Sequence, residues 1–158
     1  MGRVYSATTQ AVAITAAVDL WEILTPGDLC IVLHEIKVTQ SSDAGDAQSE
    51  QLPTSIRRVT GSPTSGSSGS TPTPTPLNFS DTASSCVVEA NNTSQLSSGT
   101  NAVLYEECWN VMNGWHYLPT PECRIVFSPD QRLLVELEAA PADAVTISST
   151  IVYEEIGG

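Results

Sequence analysis

The sequence predicts an all-β chain folded as a two-sheet Greek-key sandwich, most simply a jelly roll. An immunoglobulin-like sandwich is the alternative, but the Cys…Trp…Cys spacing fits it poorly. Three observations carry the prediction. Ser and Thr together supply 36 of the 158 residues, and only one of the six cations is a lysine, Lys37. Threonine suits a pleated, half-buried surface, whereas the strong helix formers are scarce. Apolar residues recur at every second position in several short stretches, the period of a strand with one wet face. Ten Gly and ten Pro punctuate those stretches, as the turns of a sandwich require.

Taken in order, Val12, Ile14, Ala16, Val18 and Leu20 share one parity, and Trp21 and Ile23 take the other. Thr25-Pro26-Gly27-Asp28 places Gly where a type II turn demands positive φ. The next strand runs from Leu29 to about Gln40, and its apolar parity switches between Leu33 and Ile36, which predicts a bulge at His34-Glu35. A strand near Ser55–Thr60 carries Arg57 and Arg58, and a short one at Val87–Ala90 leads into an Asn91-Asn92-Thr93 turn. Asn101–Val111 is the next long strand; Asn113-Gly114 suits a tight I′ hairpin, returning through Trp115-His116-Tyr117. Cys123, Ile125 and Phe127 share a face, which predicts a buried Cys123 thiol behaving as a small hydrophobe. Ser128-Pro129-Asp130-Gln131 then closes a hairpin onto Leu133, Val135 and Leu137. A last strand, 144–156, alternates Val145, Ile147, Ser149, Ile151 and Tyr153 with polar residues. The count is nine to eleven strands and no helix, within one domain spanning 1–158.

Residues 61–76, GSPTSGSSGSTPTPTP, contain only Gly, Ser, Pro and Thr. The Gly/Ser half reads as flexible coil and the Thr-Pro half as stiffer polyproline II. With nothing evident to bury, the segment is expected to be an exposed loop, or else a reach toward a neighbouring subunit. Removing it is expected to change stability little, because loop length enters only logarithmically.

Composition narrows the function. A net charge of −12 repels phosphate, which argues against nucleic acid as a partner. The apolar runs are too short for a membrane-spanning helix, and the start lacks a secretory h-region, so cytosolic synthesis without export is expected. Four cysteines (Cys30, Cys86, Cys108, Cys123) are too sparse for a disulfide scaffold; free buried thiols and a late disulfide both stay open. Asn-x-Ser/Thr matches at Asn78, Asn91 and Asn92 matter only in a secretory pathway.

Reactive constellations are not evident, so no enzyme activity, cofactor or metal site is expected. His34 and His116 are isolated in strand-like sequence, and no HExxH, Cys-x-x-Cys, Walker or Gly-x-Ser-x-Gly pattern occurs. Glu106-Glu107 and Glu154-Glu155 are adjacent pairs that a strand points to opposite faces. Ser41–Asp46 offers oxygen ligands without calcium-loop spacing. Tyr105, Trp109, Trp115 and Tyr117 are four of the nine aromatics; they suit cross-strand core packing or, alternatively, interface hot spots. By residue type, Trp109, Trp115 and Tyr117 are candidate contact anchors, and Arg57 and Arg58 are candidate ion-pair donors to an acidic neighbour.

The stretches EANNT at 89–93, NVMNGWHYLPTPE at 110–122 and SPDQRLLVELEAAPADAVTISSTIVYEEIGG at 128–158 resemble small virion proteins of tailed bacteriophages. LHEIKVTQSSDAGDAQSEQL at 33–52, ahead of the Gly/Ser/Pro/Thr segment, is similar in kind, so the resemblance spans nearly the whole chain. These stretches determine fold and hold no reaction motif. The resemblance implies a virion structural protein, of the capsid decoration or cement type, on the capsid surface after synthesis in the host bacterial cytoplasm. It further implies a homotrimer whose partners are the major capsid protein or other virion proteins, with no membrane or nucleic acid involved. A carbohydrate-binding sandwich module of a tail or head fibre, using the aromatic cluster, is the alternative.

Overall fold

A computed structural model describes residues 2–41 and 50–157; most of the Ser41–Asp46 candidate turn lies outside them. Eleven strands are present among the described residues: β1 (Arg3–Ile14), β2 (Val18–Leu24), β3 (Leu29–Gln40), β4 (Gln51–Thr60), β5 (Thr75–Pro76), β6 (Val87–Asn92), β7 (Thr100–Asn110), β8 (Trp115–Tyr117), β9 (Val126–Phe127), β10 (Arg132–Leu137) and β11 (Val145–Gly157). One sheet has the order β5-β1-β11-β3-β8, with β9 also on β3; the other has the order β6-β2-β10-β4-β7. All the pairings are antiparallel. The predicted all-β sandwich is therefore what the chain forms.

The eight principal strands pair in a nested way, outermost with outermost. β1 lies on β11 and β3 on β8 in the first sheet; β2 lies on β10 and β4 on β7 in the second. The inner faces bury Tyr5, Leu33, Ile36, Ile147, Ile151 and Tyr153 from one sheet against Trp21, Ile23, Ile56, Leu133 and Val135 from the other. Such faces give the strict alternation of β11, whose burial reads in–out along its whole length. The parity switch in β3 is a bulge at His34, which the register with β11 skips between Leu33 and Glu35. The switch after Leu20 is likewise a bulge, since β10 pairs Asp19 and Trp21 at successive residues.

Several local expectations are corrected. β7 and β8 sit in different sheets, so Asn113-Gly114 turns the chain across the sandwich and does not close a hairpin. Gly114 alone takes positive φ (72°), whereas a I′ turn needs it at both central residues. Likewise, β9 joins β3 while β10 joins β2 and β4, so 128–131 is also a crossing between sheets. Gly27 is not among the positive-φ glycines; Thr25 holds that corner through hydrogen bonds to the Ser128 and Gln131 carbonyls. Cys123 is exposed, not buried. It ends a one-turn 3-10 helix, Pro121–Cys123, so strand parity does not reach it. The whole first half of β1 went unpredicted, because Ser6, Thr8, Thr9 and Gln10 hide the alternation carried by Tyr5 and Ala7.

The Gly/Ser/Pro/Thr segment is mostly exposed, as expected of a surface loop, but its Pro63 and Gly66 are buried. It crosses the outer face of the second sheet as a strap, bridging Thr64 to Ser97, Ser67 to Ser94 and Ser70 to Ala90. Gly66 and Gly69 lie where a Cβ would meet the Asn92 side chain at 2.6 Å and the Ala90 carbonyl at 2.3 Å. Only glycine permits that approach. Beneath it, Val59 and Leu134 are fully buried outside the main core. The segment then reaches the first sheet, where Thr75–Pro76 adds to the edge of β1.

Candidate docking surface

The five residues singled out by type are engaged within the chain. Trp109, Trp115 and Tyr117 are all buried. Trp109 donates from Nε1 to Thr54 Oγ1 at 2.9 Å and Trp115 to Glu107 Oε2 at 3.2 Å. Arg57 ion-pairs with Glu136 at 2.9 Å and Glu138 at 2.6 Å. Arg58 donates to the Val126 carbonyl at 2.9 Å and stacks its guanidinium 5.7 Å from the Phe127 ring centre. The two tryptophans and Tyr117 thus pack within the chain, Arg57 pairs with acids of its own sheet, and Arg58 is held by a carbonyl and a ring.

Two regions of exposed apolar side chains lie on opposite sides of the first sheet, and Val87, Val103, Met112, Val126 and Ile156 are exposed besides. At the β7/β8 edge a groove of about 390 Å³ is lined by Leu104, Tyr105, Tyr117, Leu118, Pro119 and Ile125, with His116 and Cys123 at its rim. The groove forms because β8 is only three residues long and leaves the inner side of β7 uncovered. Leu104 is the residue bulged out where β7 shifts register against β4, between Val103 and Tyr105. Tyr105 and Tyr117 meet edge-to-face at 4.8 Å. The Tyr105 hydroxyl donates to Glu107 at 2.5 Å, and that carboxylate, then burial, pushes its pKa up to about 12. The tyrosine is therefore a neutral donor throughout the physiological range. Leu118 is 63% exposed on the groove's lip.

At the opposite edge of the first sheet, beyond β5, Phe79 is 99% exposed and Leu77 63% exposed. The turn that carries them is held by its own bonds. Asp81 N donates to the Asn78 carbonyl at 3.0 Å, and Ser80 N to Asn78 Oδ1 at 3.2 Å. Leu77 N ties the turn to the Val4 carbonyl at 2.8 Å. A recess of about 480 Å³ lined by Arg3, Val4, Leu77 and Asp81 flanks it. Sequence reading passed over Phe79. Its signal was an apolar Leu-x-Phe pair inside an otherwise hydroxyl-rich tract, with Asn and Asp spaced as an Asx turn.

Buried carboxylates fasten the connecting segments to the sheets. Glu22 accepts from Gly66 N and Ser65 Oγ, both at 3.0 Å, and ion-pairs with Arg132. Glu155 accepts from Ser84 Oγ at 2.6 Å and Ser85 N at 2.9 Å. Asp19 takes a bond from Leu96 N at 2.6 Å, while its Oδ1 has no partner. Burial, reinforced by Glu136 and Glu22, raises its pKa to about 6. Burial beside Glu155 likewise raises Cys86 beyond any useful thiolate population. His34 and His116 contact Glu154 at 3.0 Å and Glu35 at 2.8 Å. These groups are spread over separate faces, and what they do is hold segments in place.

No family model matches this chain, and no curated protein matches it. Among solved structures, a chain from a single-particle structure of Maize Chlorotic Mottle Virus is similar at 13% identity and a TM-score of 0.25. The match covers 99% of this chain and 95% of that one.

Proposed function

We propose that this chain is a structural protein of a virus particle, a capsid decoration or cement protein of a tailed bacteriophage that works by docking and not by turnover. The nested order of the eight principal strands is that of a jelly roll, an architecture used by viral capsid proteins as well as lectins. Because a fold alone does not fix function, the observation that carries the reading is the surface. Apolar side chains stand exposed beyond β5, at Phe79 and Leu77, and on the opposite side where β7 meets β8, at Leu104 and Leu118. Contiguous exposed apolar area marks a surface that another molecule covers. In this reading the partners are the major capsid protein or neighbouring copies, and a trimer is the proposed assembly. The test is mass spectrometry and cryo-EM of purified particles. The chain is expected at a copy number matched to the capsid lattice; its absence from the particle removes the proposal.

A carbohydrate-binding module is the second reading, favoured by the Tyr105–Tyr117 pair lining the groove. A glycan array with a Tyr105→Ala control decides it, and no binding by either protein excludes it.

A further inference from the structure

We propose that Phe79 of one copy seats in the β7/β8 groove of the next, joining copies head to tail. This deepens the assembly reading above and rests on it. The two patches flank the first sheet, whose order runs from β5 through β1, β11 and β3 to β8, the groove lying where β8 meets β7 of the second sheet. Four strand spacings of ~4.8 Å separate them by about 19 Å, so one molecule cannot fill its own groove. A projecting ring at one edge and a recess at the other define a heterologous contact, which must close into a ring or continue as a filament.

Shape and chemistry agree. The groove, about 390 Å³, has room for a benzyl side chain. It also offers the edges and faces of Tyr105 and Tyr117, the partners an incoming phenyl ring prefers. The Asn78–Asp81 hydrogen bonds already fix the turn, so little order is lost on docking. Charge agrees as well. Copies carrying −12 repel one another unless opposite charges meet at the contact. Among the described residues Lys37, Arg58 and Arg124 are the Lys or Arg side chains in no ion pair; Arg58 is taken up by the Val126 carbonyl and the Phe127 ring, while Lys37 and Arg124 lie on the groove side. Lys37 is opposite His116 in register, and Arg124 lies between Cys123 and Ile125 of the lining. Asp81, two residues from Phe79, is likewise in no ion pair, its Oδ1 taking only the Asn78 amide. Seating the ring carries this carboxylate toward the Arg124 guanidinium.

Sedimentation equilibrium on the full chain tests the contact, with Phe79→Ser and Leu118→Asp as variants. Both positions are exposed, and circular dichroism checks that each variant stays folded. The wild type is expected to associate, and each variant to do so roughly 30-fold or more weakly, the loss a hot-spot residue gives. An equimolar mixture of the two variants is expected to form a 1:1 dimer and nothing larger, because one intact ring and one intact groove remain. Asp81→Arg is expected to weaken association and added Arg124→Asp to restore it. A wild type that stays monomeric, as it would if a different virion protein filled the groove, overturns the contact. So does a Phe79→Ser chain that associates normally, or a mixture that yields no dimer. A chain found in particles yet monomeric alone rejects this contact and leaves the structural reading standing, whereas association with absence from particles does the reverse.

Discussion

At Glu22, four partners converge on one buried carboxylate: Arg132, Ser65, the Gly66 amide and Asn92. Truncating it would leave the Arg132 charge poorly compensated beneath the strap. Glu22→Ala is therefore expected to cost about 3–5 kcal/mol, measured by denaturant titration. Asp19 gives a pH dependence of the less usual sign. Its folded value of about 6 lies above the ordinary 3.8, so in that window the folded chain binds a proton that the unfolded chain does not. Stability should consequently rise as pH falls from about 7 to about 5, by roughly 1–2 kcal/mol, and be lost again as pH climbs back through the folded pKa. Glu136, also raised by burial, acts in the same direction, whereas Glu138, lowered by Arg57, opposes it at still lower pH. Thermal melts across that range should show the gain, and Asp19→Asn should flatten it. None of this was legible in sequence, where the alternation of Val18, Leu20, Trp21 and Ile23 drew no reading for Asp19 or Glu22. Alternation reports which face a side chain takes, and is silent on what later covers that face.

Among the elements, strand positions were more legible than strand partners. β3 was predicted over its full span, and β7, β10 and β11 to within a residue or two; β10 and β11 carry a clear period of two, while β7 was bounded by the polar turns around it. Pairing is different: a turn such as Asn113-Gly114 shows where the chain reverses and says nothing about which sheet it enters. The strap was misread for a related reason, since its glycines look like flexibility and serve close approach. Deleting residues 62–74 is accordingly expected to lower stability by several kcal/mol, in contrast to the logarithmic loop cost, because Val59, Leu134 and the Glu22 carboxylate would all lose their cover. A thermal melt indistinguishable from that of the intact chain would show the strap to be dispensable. The candidate anchors fared as residue type allows. Trp and Tyr are chosen by cores and interfaces alike, so Trp109 and Trp115 could not be told apart from packing residues, while Phe79 stood just beyond the 61–76 segment, where no element was assigned.

For the molecule as a whole, nesting sets the kinetics. β1 must find β11 across nearly the full chain, and no pair forms a short local hairpin. Refolding is expected on the slow side of the millisecond-to-second range seen for sandwiches, with Trp21 fluorescence and far-ultraviolet dichroism recovering together in stopped-flow experiments. The two broad faces also differ. The strap covers part of one, while the other carries a band of hydroxyl residues, Ser6 and Thr8 on β1, Thr39 on β3, and Thr146, Ser148 and Thr150 on β11, beside the longer Glu35, Lys37 and Glu154. Short hydroxyl side chains have few rotatable bonds to freeze, unlike the long Lys, Glu and Gln chains that dress most proteins. A neighbour laid across that band would thus immobilise very little, leaving the wall easy to tile at high density.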